Sequence, residues 1–354
     1  MTLLPGGRVV TLTANPSLDR TLDLPGPLMA GGIIRLAGGN TEPGGKGVNV
    51  ARAIAAAGGQ VVSVLPASAS DPIVTALRAL GLELGTVPVQ SPVRTNYTLV
   101  DPEGTTTKLN EPGAVLSDST RTALTGVLHE HAADARWVVL SGSLPPSTPV
   151  DWYADLVRSL RDTGARVAVD TSEGPLLALM TAGPEAAPHL LKPNAEELAQ
   201  LAGVSEDDVL RDPAATLAAV RSLHERGVSE VLLTLGGDGA LLSCADDSPA
   251  GSAVWTARPP QITVRSTVGA GDSSLAGYLL ADLAGAPPAE RLRTAVAYGA
   301  ASASLPGSAV PTPAQVDVAA VRVTVGTPGS ALPSSTGHAG PDTDPVPAAG
   351  RDAR

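Results

Sequence analysis

Phenylalanine is absent from the sequence, and aromatic residues make up only 2% of its 354 residues. The core must therefore be built from alanine, valine, leucine and isoleucine, and we do not expect a base or sugar to stack on aromatic rings. Cysteine occurs once, at Cys244, which excludes an internal disulfide and a cysteine-rich zinc site. No signal-peptide pattern opens the chain, and no apolar run reaches the length of a membrane span. We therefore expect a soluble cytoplasmic protein.

Basic residues are also scarce, with 24 against 35 acidic ones and a formal net charge of −11. They form no run along the chain, so neither nucleic acid nor an anionic membrane is an expected partner. Lysine occurs only at Lys46, Lys108 and Lys192, while arginine is plentiful. Substitution of exposed lysines by arginine explains most of this bias. A lysine that remains can mark a place that needs a compact point charge rather than a planar guanidinium.

From about residue 118 onwards, predicted helices alternate with short apolar strands. The patterns indicate helices at 119–131 and 150–161, and strands at 137–140, 166–170 and 231–235. Such alternation predicts a parallel sheet covered by helices on both faces, with ligand-binding residues at the carboxyl ends of the strands. A last short helix or extension is expected at 313–325. Residues 326–354 are rich in Gly, Pro, Ser and Thr, and we expect a disordered tail there.

A glycine-rich turn at 267–273 follows a predicted strand end at 262–264 and precedes an apolar helix. Backbone N–H groups and the positive end of the helix dipole at such a turn suit a phosphate. Asp272 lies within this turn. It is either an ordinary acidic residue of a first helical turn or a carboxylate that takes part in chemistry.

A second glycine cluster, Gly44-Gly45-Lys46-Gly47, opens another predicted helix and places Asn49 one turn inside it. The spacing does not match a Walker A loop. The glycines would let a ligand approach the backbone, and the Asn49 amide offers a donor and an acceptor for hydroxyl groups. Asp19 follows an earlier strand and a turn at Pro16, where it either contacts a ligand or forms an Asx turn.

A β-hairpin is predicted at 94–110, with polar residues on one face of both strands. It is either an exposed edge or a cover over a polar site. Arg94 and Lys108 on this hairpin could clamp a phosphate group. They could equally be solvated surface charges.

Six motifs in this order resemble those of the ribokinase-like sugar kinases, in the branch called the phosphofructokinase B family. The likeness covers roughly residues 8–312. The motifs are Asn15-Pro16 with Asp19, the cluster at 44–47 with Asn49, the segment 141–145, Lys192-Pro193-Asn194 with Glu197, the segment 235–239, and the turn at 267–273.

The resemblance implies an α/β fold, a ribokinase-like three-layer sandwich with a mostly parallel central sheet and a small β-sheet lid. The kinase domain would span residues 1–312, with the lid formed by about 20–43 and 88–112. In this family the lid can also pair subunits, so a homodimer through the lid is expected. The ligands implied are ATP, Mg²⁺ and a sugar phosphate.

The resemblance also assigns roles to residues. Asp272 would be the general base, and the backbone of Gly269, Ala270 and Gly271 would form an anion hole. Substrate binding would involve Asp19, Gly44, Gly45, Lys46, Asn49, Arg94, Lys108 and Ser143, with Arg35 as a further cation. The nucleotide would contact Lys192, Asn194, Thr234, Gly236, Gly237, Gly239 and Ser304. Asn194 and Glu197 would help to place Mg²⁺ through water.

Two departures from the family pattern affect the nucleotide side. Ser266 stands where relatives often have Asn or Asp, so the contact expected there is in doubt. Because aromatic residues are so few, adenine must be held by aliphatic packing, for which we expect the region 304–306.

Within the family, the segments at 15–19, 44–49 and 108–113 resemble most closely the members that phosphorylate the 6-hydroxyl of fructose 1-phosphate. Members that act on tagatose 6-phosphate or fructose 6-phosphate share nearly all these motifs. A non-catalytic sensor of sugar phosphates is an alternative of another class, against which Asp272, Asn194 and Glu197 argue. A nucleoside or vitamin kinase is a third, but an uncharged substrate would not need Lys46 and Arg94.

Overall fold

Short β-branched runs along the chain assemble into one large sheet of ten strands within the described residues. The structure is a computed structural model that describes residues 6–245 and 253–326. In spatial order the strands are β14 (Arg322–Gly326), β13 (Ala253–Arg258), β12 (Ala240–Cys244), β11 (Glu230–Thr234), β10 (Leu190–Leu191), β9 (Arg166–Asp170), β8 (Ala135–Ser141), β1 (Arg8–Leu12), β4 (Val61–Pro66) and β5 (Glu83–Val87). The seven neighbouring strands β11, β10, β9, β8, β1, β4 and β5 run parallel to one another. Strands β12, β13 and β14 extend the sheet beyond β11 through antiparallel pairs.

Helices cover both faces of this sheet, because its buried strands are apolar on both sides. Along β1, Val10 and Leu12 pack into one apolar cluster while Val9 packs into the other. The cluster with Val10 lies against α3 (Asp118–Ala132), α4 (Trp152–Leu160), α5 (Glu173–Thr181), α6 (Ala195–Ala202), α7 (Glu206–Arg211) and α8 (Pro213–Glu225). The opposite cluster lies against α1 (Lys46–Ala56), α2 (Pro72–Ala79), α9 (Ala270–Leu283) and α10 (Pro288–Ala303). The predicted three-layer arrangement is confirmed.

A small separate sheet projects from this body, as predicted. Its strands, in spatial order, are β3 (Gly38–Gly44), β2 (Ser17–Asp23), β6 (Arg94–Val100) and β7 (Thr106–Asn110). Strands β6 and β7 form the predicted antiparallel hairpin, and β6 pairs in parallel with β2. Asp19 lies opposite Asn96 in this pairing. The small sheet therefore places residues that are distant in sequence, such as Asp19 and Asn96, next to each other.

Two segments differ in secondary structure from the sequence-based expectation. The apolar residues at 262–264 do not form a strand, and Ile262 and Val264 are 36% and 60% exposed in a loop. After Pro311 the helical part is a single 3-10 turn at Pro313–Gln315, and the chain then adds β14 beside β13. Alternation of polar residues with valine suits an edge strand there. The predicted disordered tail beyond Gly326 lies outside the described residues.

Helix length and composition also bear on the membrane. Within residues 6–245 and 253–326, no helix combines the length and the apolar character needed to cross a bilayer.

Candidate active site

A cleft of about 1060 Å³ lies between the carboxyl ends of the parallel strands and the small sheet. It is the position at which open α/β sheets bind ligands. The cleft is lined by sixteen of the residues predicted from the sequence, namely Asp19, Gly45, Lys46, Asn49, Arg94, Ser143, Lys192, Asn194, Thr234, Gly236, Gly237, Gly239, Gly269, Ala270, Gly271 and Asp272. The fold thus brings the separate motifs together into one site.

Five predicted residues do not line the cleft, and one of them, Arg35, is exposed between β2 and β3. Lys108 is exposed on β7, and Ser304 follows α10, whose last residue, Ala303, does line the cleft. Glu197 is buried behind Asn194, and Gly44 lies beside Asp19.

The absence of a side chain at Gly44 leaves room for the Asp19 carboxylate. A side chain at this position would collide with the Asp19 carboxylate, because β2 and β3 pair closely here. Asp19 Oδ1 accepts hydrogen bonds from Ser17 Oγ (2.8 Å) and Asn96 Nδ2 (3.1 Å). These bonds hold the carboxylate at the wall of the cleft that the small sheet forms.

The most buried charge in the cleft is Asp170, to which the sequence analysis gave no role. It ends β9 with no exposed surface. Lys46 Nζ donates to its Oδ1 at 2.9 Å, and Lys192 Nζ lies 3.1 Å from its Oδ2. Two of the three lysines in the chain therefore converge on this carboxylate. Its position at the end of a predicted parallel strand was the available sequence signal.

Charge compensation decides the ionisation of this cluster. Burial alone would raise the pKa of Asp170, but Lys192 and Lys46 together outweigh it and lower that pKa. In turn the Asp170 carboxylate raises the pKa of Lys46 well above its ordinary value, despite the opposing effect of burial. The Asp170 carboxylate and the Lys46 ammonium are therefore both charged near neutral pH.

Asp272 lies in the first turn of α9, which starts immediately after Gly269 in a left-handed conformation with φ of 76°. Such a φ favours glycine. The carboxylate is only 6% exposed, and its Oδ2 accepts a hydrogen bond from Asn49 Nδ2 at 2.9 Å. The first N–H groups of a helix lack intrahelical partners, so the backbone of 269–271 can bind an anion beside this carboxylate.

The environment of Asp272 raises its pKa to about 6. Burial is the largest cause, and the negative charge of Asp170 adds to it. Lys46, the Asn49 hydrogen bond and Lys192 act in the opposite direction. The carboxylate is therefore ionised at neutral pH, yet it is a much stronger base than an ordinary aspartate.

Several lining residues were missed from the sequence. Asn96 joins the wall next to the small sheet and belonged to no motif, and Asn15 joins it too, although its motif was noted without a role for the side chain. The opposite end of the cleft is apolar, and its walls include Ile262, Val264, Val296, Ala300 and Ala303. Two of these lie in the segment predicted to be a strand. The residues of this wall supply aliphatic packing surface, and two of them, Ala300 and Ala303, lie within about one helical turn of the region predicted for adenine.

Comparison with known proteins agrees with this geometry. Residues 15–315 match the pfkB family carbohydrate kinases. The chain is 35% identical over 326 residues to a 1-phosphofructokinase of Xanthomonas campestris pv. campestris, covering 90% of this chain and 98% of that protein. It resembles the crystal structure of Escherichia coli phosphofructokinase-2 in complex with fructose-6-phosphate, with a TM-score of 0.75, 29% identity and coverage of 84% and 94%.

A ribokinase of Arabidopsis thaliana complexed with ribose and ATP shares the fold at 20% identity, with a TM-score of 0.66 and coverage of 89% of this chain and 97% of that one. The chain belongs to the pfkB family of carbohydrate kinases. The predicted family, the ribokinase-like fold and the prediction that the protein is a kinase are therefore confirmed.

Because the pKa of Asp272 is higher in the folded protein than in the unfolded chain, ionisation of this carboxyl group has a cost, since it lowers the free energy of unfolding. The cost is absent below about pH 4, where the group is protonated in both the folded and unfolded states, and complete above about pH 6. Asp272→Asn removes it, so the variant should exceed the wild type in free energy of unfolding by roughly 1–3 kcal/mol at about pH 8. The difference should shrink towards about pH 4. Chemical denaturation at both pH values measures it, with the exposed Asp118→Asn as a charge-matched control.

Equal differences at the two pH values would contradict the raised pKa. A lower stability of Asp272→Asn at about pH 8 would contradict it as well.

Proposed function

We propose that this protein transfers the γ-phosphoryl group of ATP to the 6-hydroxyl of fructose 1-phosphate, giving fructose 1,6-bisphosphate. The observation that carries the proposal is the position of Asp272. It lies at a helix start between a polar wall suited to a sugar phosphate and a glycine-lined, partly apolar wall suited to a nucleotide. Relatives named 1-phosphofructokinase support the choice of substrate.

The sugar-side wall offers groups for both the hydroxyls and the existing phosphate. Asp19 and Asn49 would hold hydroxyl groups. Arg94 donates to the backbone carbonyls of Glu111 (3.1 Å) and Asn15 (3.2 Å), which orient its guanidinium without neutralising it. With Lys46 it would bind the phosphate that the substrate already carries. Ser143 also lines this part of the cleft.

Asp272 would take the proton from the attacking hydroxyl. A base with a pKa of about 6 is mostly ionised at neutral pH and still accepts a proton readily. The backbone N–H groups of residues 269–271 would stabilise the negative charge on the transferring phosphoryl oxygens. Lys192 lies on the same side, since a side chain on Gly271 would come within 3.4 Å of its Nζ.

The nucleotide would lie along a turn of small residues between β11 and β12. Gly236–Asp238 forms a single 3-10 turn, and Gly239 follows with φ of 102°. A side chain at Gly239 would collide with the carbonyl oxygen of Ala257. Thr234, Gly236 and Gly237 would face the phosphates and ribose, and the aliphatic wall that ends at Ala303 would hold adenine.

Mg²⁺ is implied by the kinase family, and the residues present fit it through water. Asn194 Oδ1 accepts from the Glu197 N–H (2.7 Å), and Glu197 Oε2 accepts from the Asn194 N–H (2.9 Å). Both groups are oxygen donors, which Mg²⁺ prefers, and they retain further acceptor capacity. In the described parts of the chain no cluster of three or more His, Cys, Asp or Glu side chains could hold a metal. When bound, Mg²⁺ would neutralise charge on the nucleotide phosphates.

Replacement of Asp272 by Asn should lower kcat by a factor of about 10² or more, because a positioned general base contributes about 10² to 10⁴. ATP binding should change little, since the amide keeps the size of the carboxylate. Coupled ADP-release assays and calorimetric titration with ATP measure the two quantities. A kcat near that of the wild type would contradict the proposed role of Asp272 as general base.

A second candidate function is phosphorylation of fructose 6-phosphate, which the similarity to Escherichia coli phosphofructokinase-2 favours. We expect kcat/KM for fructose 1-phosphate to exceed that for fructose 6-phosphate and tagatose 6-phosphate by roughly tenfold or more. A misplaced phosphate loses charge-assisted hydrogen bonds worth about 1.5–3 kcal/mol. Steady-state kinetics with all three sugars decide between these substrates. Preference for fructose 6-phosphate would establish the second function, and no turnover with any of them would favour a non-catalytic sensor.

We further propose that two copies pair through the small sheet, which also acts as a lid over the sugar. Four exposed apolar side chains, Leu28, Met29, Ile33 and Leu36, form an apolar patch on its segment between β2 and β3, and Leu109 is exposed on β7 at the other edge of the sheet. Such a patch is typical of a contact surface.

Pairing through this patch predicts the mass of a dimer by light scattering. Ile33→Ser, at a side chain that is 89% exposed, should weaken the association because it removes apolar contact area. Val150→Ser is the control, since Val150 is an exposed apolar residue just before α4 that belongs to no strand or loop of the small sheet. A monomeric wild type would contradict the proposal.

A further inference from the structure

Arg52 is a charged side chain buried inside the molecule behind the cleft, and it is only 7% exposed. It lies on α1, one turn after Asn49. Its Nη1 donates to the backbone oxygens of Pro43 (2.9 Å) and Ser308 (3.3 Å), and its Nη2 donates to Glu42 Oε1 (3.3 Å). Ser308 Oγ in turn donates to Glu42 Oε2 at 2.9 Å. The guanidinium is therefore fixed by the end of β3 and by the loop after α10.

The same Nη1 also donates to Asn49 Oδ1 at 3.3 Å. Residues three apart on a helix share one face, which allows this contact. The other end of the amide, Asn49 Nδ2, donates to Asp272 Oδ2. The guanidinium can only donate and the ionised carboxylate can only accept. Both partners therefore require the same orientation of the Asn49 amide.

We propose that Arg52 is a positioning residue of the phosphoryl-transfer site: it holds the oxygen end of the Asn49 amide and so keeps the nitrogen end on the Asp272 carboxylate. The inference rests on the proposed role of Asp272 as general base. A buried guanidinium fixed by several acceptors has one geometry, and a group held by such a partner is itself fixed. Arg52 touches neither wall of the cleft and acts only through Asn49.

Without Arg52 the amide is free to turn and present its oxygen to the carboxylate. The charged or titratable groups that face Asp272 are Asp170 at the end of β9, Lys46 on α1 and Lys192 after β10. None of these three is a partner of Arg52. Burial and Asp170 raise the pKa of Asp272, and the hydrogen bond from Asn49 is one of the effects that lower it. Loss of that hydrogen bond should therefore raise the pKa of Asp272 further.

The test compares pH profiles of kcat for the wild type, Arg52→Met and Arg52→Lys. We expect Arg52→Met to move the acidic limb upwards by about one pH unit, since a hydrogen bond to a charged group is worth about that much. The kcat at the pH optimum should fall about tenfold or more through lost orientation, with KM for ATP little changed. Arg52→Lys keeps a charged donor and should recover part of both effects. An unmoved acidic limb in Arg52→Met would overturn the proposal.

A second background separates positioning from general damage. Asn49→Ala removes the intermediate group, so adding Arg52→Met to it should move the acidic limb no further. The same additional shift in that background would overturn the route through Asn49. Arg291→Met is the matched control, because Arg291 is an equally buried arginine on α10, bonded to Glu230 and Asp282. It should lower the melting temperature without moving the limb, and an equal shift there would also overturn the proposal.

A direct titration of the Asp272 carboxyl group tests the role of Arg52 independently of turnover. Carbon-13 NMR of labelled aspartate, with the Asp272 signal assigned by its loss in Asp272→Asn, reports the pKa in the free protein. A higher value in Arg52→Met or Arg52→Lys supports the positioning role even if Asp272→Asn retains turnover, an outcome that overturns only the base. An unchanged Asp272 signal in both folded variants would overturn the role of Arg52.

Discussion

The geometry of the cleft depends on one buried carboxylate that is shared by two lysines. Asp170 joins the end of β9 to the start of α1 through Lys46 and to the segment after β10 through Lys192. Removing one partner of a buried ion pair leaves an uncompensated charge, which is far more costly than the pair itself. The cluster therefore constrains both glycine-rich helix starts, because one lysine opens α1 and the other lies against Gly271 at the start of α9. It also sets the local potential in which Asp272 titrates.

Glycine permits the close approaches that this arrangement needs. A side chain at Gly44 would occupy the place of the Asp19 carboxylate, and one at Gly299 would collide with Ser274 Oγ, where α10 packs on the first turns of α9. The two positions act at different places, one beside Asp19 on the small sheet and the other beside the helix that carries Asp272. The positions of the Asp19 and Asp272 carboxylates thus depend on close packing between strands and between helices as well as on the motifs themselves.

Most of this architecture could be predicted from local pattern. Apolar periodicity indicated the strands and helices of the large sheet, and the six motifs indicated which loops form the site. Asp170 was missed because its importance arises from two lysines that are distant in sequence. Lys108 shares its residue type with Lys46 and Lys192, yet its strand lies at an exposed edge, which residue type cannot reveal. Ile262 and Val264 resemble part of a strand, but within residues 6–245 and 253–326 they pair with no strand, and instead they line the cleft. Arg52 gave no signal, because an arginine on a helix is usually a surface residue.

The scarcity of lysine has a consequence for chemical labelling. Lys46 and Lys192 are both paired with Asp170, and Lys192 is only 5% exposed, whereas Lys108 is exposed on β7 outside the cleft. The Lys46 side chain is 37% exposed but is paired with Asp170 inside the cleft, so an amine-directed reagent should reach Lys108 on the small sheet most readily. A fluorophore or surface tether attached there would mark the small sheet, and the ion pairs with Asp170 would slow the same reaction at the two lysines of the cleft.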